Sequence, residues 1–165
     1  MSIEQPKEPL TVTFTCEGRA VGKMRNELDV AMTEPMVERF TMATDEGPFH
    51  GGDATAPPPL AHFIAGLTGC IMTQLRAFAK RMDVVIDDLS VNAEVKWQWT
   101  PKGRIYETAP KSFHIDVLLE SSSSLEDQIA LVQAAKKGCF VEQTLGQANT
   151  VTHRIKSGDG FVAID

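Results

Sequence analysis

Cysteine is scarce in this chain, with three among 165 residues. A small, odd number provides no disulfide framework of the kind that staples secreted domains. Long apolar runs are missing: no stretch approaches the ~20 residues of a membrane-spanning helix. Positive charge is not in surplus either. Sixteen lysines and arginines stand against 22 aspartates and glutamates, a net charge of -6 with no Lys/Arg cluster. That argues against a nucleic-acid binder driven by phosphate contacts. Positions 1–10 lack the apolar core of a signal peptide. The expected setting is a reducing cytoplasm, with neither membrane nor nucleic acid as partner.

What is present is ordinary globular composition, 42% hydrophobic and 23% charged. This argues against intrinsic disorder. The length suits one domain over 1–165, with positions 1–9 as a loose leader carrying two prolines. Val12, Phe14 and Cys16 alternate as in a strand, interrupted by Gly18 and Gly22. Residues 27–32 alternate again, and a further short strand is expected over 37–42. Turn formers fill 43–59.

A long helix is predicted from Pro59 to Met82. Leu60, Phe63, Ile64, Leu67, Ile71, Leu75 and Phe78 make one apolar stripe, and Arg76, Lys80 and Arg81 suit its C-terminus. Residues 91–99 and 113–119 alternate and should pair as a hairpin with a long connection, with a turn at 101–104. Ser123 and Glu126 have capping-box spacing. The second helix should turn Leu125, Ile129, Val132 and Ala135 inward and end near Gly138. A short helical turn and a strand through Val151, His153 and Ile155 follow. Strands grouped in runs point to α+β with antiparallel sheets.

Cys70 falls on the apolar stripe of the first helix, and a continuous second helix would place Cys139 on its inward stripe. Three readings of the pair are open. They are small core fillers, an attacking and a resolving thiol, or metal ligands; no CxxC or HxxxH supports the last. Cys16 reads as structural. His50, His62, His114 and His153 have no ligand spacing. Trp97 and Trp99 share a strand face and suit a core or a subunit contact.

The stretch from Thr55 through the prolines at 57–59 to Cys70 resembles the OsmC/Ohr family of thiol-dependent hydroperoxide reductases. Ala134 to Leu145 resembles the family's second cysteine motif, C-x-V-x-x-x-L, beginning at Cys139. Together the resemblance covers about residues 47 to 157. It implies an OsmC-like fold, with antiparallel sheets packed on two main helices, the longer one central, in an intertwined homodimer. It also implies a peroxidase of organic or fatty hydroperoxides. Cys70 would become a sulfenic acid, Cys139 would close a disulfide onto it, and a lipoyl- or thioredoxin-like dithiol would reduce the pair. No cofactor or metal is implied, since sulfur does the redox work.

The family's arginine is matched by Arg19, with Arg25 second. Two positions depart from the pattern: Leu60 stands where peroxidase members carry a glutamate, and Phe140 follows Cys139 in place of a proline. Asp53 or Glu46 would have to supply the missing carboxylate. Leu60 favours an alternative, a non-catalytic member binding a small apolar ligand in the same pocket. A core with no ligand is a third possibility.

Overall fold

The computed structural model describes residues 8–164. The leader expected over 1–9 therefore falls almost wholly outside the described residues. The chain is mixed α+β with antiparallel sheets, as expected. It divides into two compact units, and the division falls between Phe63 and Ile64, inside the first long helix. Among the described residues, no helix is long and apolar enough to cross a membrane.

The first unit is a three-stranded meander of β1 (Thr13–Ala20), β2 (Asn26–Glu34) and β3 (Glu38–Thr44), in the order β1-β2-β3. Gly18 pairs with Leu28 inside β1 and does not interrupt it; the break comes at Gly22, whose φ of 80° suits a residue without Cβ. Cross-strand register puts Phe14 opposite Met32, Val30 between Cys16 and Phe40, and Leu28 opposite Met42. Paired residues share a face, so one face of the sheet is apolar. The other carries Glu17, Asp29, Arg19 and Glu27.

After the sheet, residues 45–55 fold back on a buried aspartate. Asp45 is 2% exposed. Its carboxylate accepts the Thr55 N–H at 2.9 Å, the Thr55 hydroxyl at 2.7 Å and the Glu46 N–H at 2.9 Å. Gly52 is required here, because a Cβ at that position would run into the Glu46 carbonyl. The same loop carries a short 3-10 turn at Pro48–His50.

Helix α1 (Pro59–Met82) has the predicted bounds, with proline at its start and Lys80 and Arg81 in its last turn. In the second unit, β4 (Asp88–Lys102) and β5 (Ile105–Glu120) form one long hairpin. The connection is two residues, not the long one expected, since Lys102 pairs with Ile105. Alternation is weak over 105–112, but these residues are held in the ladder, and Tyr106 packs its ring 4.5 Å from that of Trp99.

Helix α2 (Leu125–Gly138) is capped by Ser124, not Ser123: the Ser124 hydroxyl accepts the Asp127 N–H at 3.1 Å. Ser123 instead accepts the Val85 N–H at 2.9 Å. The inward stripe holds at Val132 and Ala135 but not in the first two turns. Leu131 and Ala135 are fully buried, whereas Leu125 is 71% exposed and Ile129 is exposed as well. Helix α3 (Phe140–Gly146) follows, then a hairpin of β6 (His153–Ser157) and β7 (Gly160–Ile164) in place of one final strand.

The core of the second unit joins Ile71, Leu75 and Ala79 of α1 to Leu131 and Ala135 of α2, with Val84 and Cys139. Leu89, Val91, Ile115, Val117 and Leu119 of the hairpin pack against it. Each fully buried leucine contributes about 1.5–3 kcal/mol. The helices approach closely at Gly138, where a Cβ would lie 2.5 Å from the Phe78 ring.

Candidate active site

The α2 helix does not continue through Cys139. The chain breaks there, and Cys139 becomes the N-cap of α3, with an extended backbone at φ -79°, ψ 109°. Its sulfur takes the role a serine oxygen normally has, accepting the Glu142 N–H at 3.5 Å. The residue is fully buried all the same. Cys70, on α1, is half-buried and packs against the same core. Both are free thiols.

The two sulfurs are neighbours. Burial pushes the Cys139 thiol from its ordinary 9.0 up to about 11. The Glu142 N–H pulls the other way, while hydrogen bonding to Cys70 and the charge on its sulfur raise it further. The pair is thus asymmetric: one thiol is sealed and held protonated, the other is partly open.

A cavity of about 600 Å³ is lined by Leu67 and Ile71 of α1, Phe113 of β5, Val132 and Lys136 of α2, and Glu142 of α3, and neither cysteine forms part of its wall. Its wall therefore includes the residue after Cys70 and the residue bonded to the Cys139 sulfur. One oxygen of the Glu142 carboxylate, Oε2, is buried without a hydrogen-bond partner among the described residues.

The two arginines lie in the first unit, and both point to Glu27. Arg19 Nη2 is 3.1 Å from the Glu27 carboxylate and Arg25 Nη2 is 3.6 Å from it. Arg25 is also fixed by Thr55, donating from Nη1 to its carbonyl at 3.1 Å and its hydroxyl at 3.0 Å. Their side chains are 74% and 32% exposed respectively, so Arg25 is the more firmly held. Neither expected substitute acid is the partner. Asp53 pairs with Lys23 at 2.7 Å, and Glu46 contributes main-chain bonds to the loop. Both arginines pair instead with Glu27, on β2. Leu60 lies in the first turn of α1, 54% exposed.

The remaining candidates are dispersed. Cys16 is exposed on β1. His62 Nε2 lies 3.0 Å from the Ala43 carbonyl. His50 stacks edge-on against Phe49, and His114 and His153 lie on β5 and β6. Glu27 and Glu142 were not candidates in the sequence. Arg19–Glu27 is a cross-strand pair visible only once the register is known. The C-x-x-E spacing at 139–142 is a capping-box pattern with a thiol in place of the hydroxyl, and is the one mark Glu142 leaves in the sequence.

Residues 51–154 match the family model described as OsmC-like protein. No curated protein matches the chain. Among solved structures, an OsmC-like hydroperoxide resistance protein from Jannaschia sp. CCS1 is 63% identical, over 93% of this chain and 98% of that one, with a TM-score of 0.65. An OsmC-like protein from Mycoplasma pneumoniae is 16% identical, covering 86% of this chain and 89% of its own, with a TM-score of 0.56. An organic hydroperoxide resistance protein OsmC from Legionella pneumophila is 19% identical, covering 81% and 88%, with a TM-score of 0.53. The last two share the fold alone. With the family model spanning most of its length and a relative this similar across nearly all of it, the chain belongs to the OsmC-like family.

Proposed function

We propose that this protein is a cysteine-based peroxidase that reduces organic or fatty hydroperoxides. The observation that carries this reading is the juxtaposition of two free thiols of unequal burial beside an apolar cavity. The hydroperoxide resistance role of the 63% identical Jannaschia protein supports it.

Cys70, the more open thiol, attacks the terminal peroxide oxygen as a thiolate. The O–O bond breaks, the alkoxide leaves and takes a proton to become an alcohol, and Cys70 is left as a sulfenic acid. The Cys139 sulfur then attacks the Cys70 sulfur, water leaves and a disulfide remains. A dithiol reductant of the lipoyl or thioredoxin class restores both thiols, in a reducing cytoplasm. The cavity takes the apolar part of the substrate. The family resemblance implies an arginine that polarises the peroxide, and of the two candidates Arg25, held by Glu27 and Thr55, is better ordered than Arg19.

On this reading the working unit is a single OsmC-like domain over 1–165, and a family match over residues 51–154, on both sides of positions 63 and 64, supports it. It acts as a homodimer. Phe14, Phe40 and Met42 stay exposed on one face of the β1–β3 sheet, and Leu125, Ile129 and Phe140 stay exposed in the second unit. Exposed apolar side chains of this kind in each unit suit burial against a second copy.

The test is turnover by single-cysteine variants. Cys70→Ser should abolish consumption of cumene hydroperoxide. Cys139→Ser should permit one oxidation and leave a sulfenic acid at Cys70 that dimedone labels. Equal labelling of both variants would overturn the roles. Leu60, which leaves the family's acid position empty, favours a second reading: a non-catalytic protein that binds a small apolar ligand in the cavity. Saturable binding of such a ligand, with both thiols inert to peroxide, would favour it.

A further inference from the structure

Resolution of the sulfenic acid poses a proton problem. The attacking sulfur must lose its proton, yet Cys139 is sealed from solvent and its environment favours the neutral thiol. Among the described residues, three charged or titratable groups interact with it or line the cavity. Cys70 faces it from α1, Glu142 follows it on α3, and Lys136 of α2 lines the cavity. The cavity-lining residues of β5, which are Pro110, Phe113, Ile115 and Val117, carry no titratable group.

Glu142 stands out among these. Its main-chain N–H already holds the Cys139 sulfur. It occupies the third position of α3, from which a glutamate side chain in a capping box reaches back to the N-cap residue. Here that reciprocal contact is not made. One carboxylate oxygen instead lies buried on the cavity wall with no partner among the described residues. A buried, unsatisfied carboxylate oxygen is costly and calls for a reason.

We propose that the Glu142 carboxylate accepts the proton that Cys139 gives up when its sulfur attacks Cys70. The inference rests on the thiol-pair reading above. In the peroxidase cycle, the S–S bond forms as the S–O bond of the sulfenic acid breaks. The proton taken by Glu142 passes to the departing hydroxide, and the products are a disulfide and water. The main-chain N–H of the same residue steadies the developing thiolate.

The step can be isolated without peroxide. In a Cys16→Ser background, Ellman's reagent first reacts at Cys70, releasing one thionitrobenzoate. Attack of Cys139 on that mixed disulfide then releases a second, read at its absorbance. Glu142→Gln should leave the first release unchanged. It should slow the second about 100-fold near pH ~7, with the gap closing as the pH rises and hydroxide ionises the thiol directly. A wild-type second release in Glu142→Gln, or a loss equal at every pH, would overturn the proposal. If the glutamine variant does not fold, Glu142→Asp replaces it. Slowing at neutral pH that fades at high pH supports the role, while no slowing or uniform slowing contradicts it. Failure of the wild type to consume hydroperoxide would sink the peroxidase reading but leave this assay intact.

Discussion

The sulfur of Cys139 accepts the main-chain N–H of Glu142 at 3.5 Å and so caps helix α3. A capping residue is fixed in place by the helix that it starts. The Cys139 sulfur is therefore held by α3 on one side and by the buried core around Leu131 and Ala135 on the other. Cys70 meets a partner whose position is set in advance.

Cys139 should titrate late. In a Cys16→Ser, Cys70→Ser variant, thiolate absorbance should rise with a midpoint well above the ordinary 9.0, because burial is the leading cause of the shift to about 11. The native state holds this proton more tightly than the unfolded chain. Its contribution to stability is therefore fully present below pH 9.0 and is lost as the pH rises through about 11. Urea unfolding across that window should show the decline, and Cys139→Ala should lack it. A midpoint at 9.0 would mean that the sulfur is solvated.

Asp45 should give the opposite dependence. Hydrogen bonds from Thr55, main chain first and then hydroxyl, hold its carboxyl below the usual 3.8. Its contribution is fully present above that value and fades as the pH falls through the lower native one. Asp45→Asn should lower the Tm at neutral pH, and the difference from wild type should vanish in acid. A pH-independent difference would point to packing instead of charge.

Arg25 should matter more than Arg19. Arg25→Met should slow Cys70 oxidation by about 100-fold, the scale of losing one oriented electrostatic donor, while Arg19→Met has a small effect. Glu27→Gln should follow Arg25→Met in direction, and Asp53→Asn should leave the rate unchanged. Single-turnover oxidation by cumene hydroperoxide reads all four. Arg19→Met as the most damaging change would reverse the assignment.

Leu60→Glu should be tolerated. The position is exposed in the first turn of α1, which carries no acidic residue. A carboxylate there should stabilise by about 0.3–1 kcal/mol through the helix dipole. Thermal unfolding measures it. A fall in Tm would show that Leu60 is covered in the assembled protein.

Much of this fold is legible from residue patterns. Helix α1 announces its bounds because proline, a long apolar stripe and a basic end all agree. The failures have local causes. The β5 strand extends through Ile105 and Tyr106 because a two-residue turn and a ring contact hold them, although the apolar alternation there is poor. In a run of four serines, neighbouring positions compete for the cap, and Ser124 prevails because Asp127 reciprocates. Alignment of the α2 stripe on Leu125 and Ile129 missed Leu131, which lies on the face turned to α1. The cysteines are visible through family resemblance. Glu27 is not, since its importance depends on strand register, and Glu142 shows only as the C-x-x-E spacing, whose meaning depends on the helix break at Cys139.

The most direct measurement is a disulfide map after a single turnover. Fully reduced protein receives one equivalent of cumene hydroperoxide, and the thiols are blocked and the peptides mapped by mass spectrometry without reduction. The thiol-pair mechanism predicts a Cys70–Cys139 disulfide in proportion to the peroxide consumed, with Cys16 blocked as a free thiol. Unreacted Cys70 and Cys139 after excess peroxide, or a disulfide that requires Cys16, would contradict it.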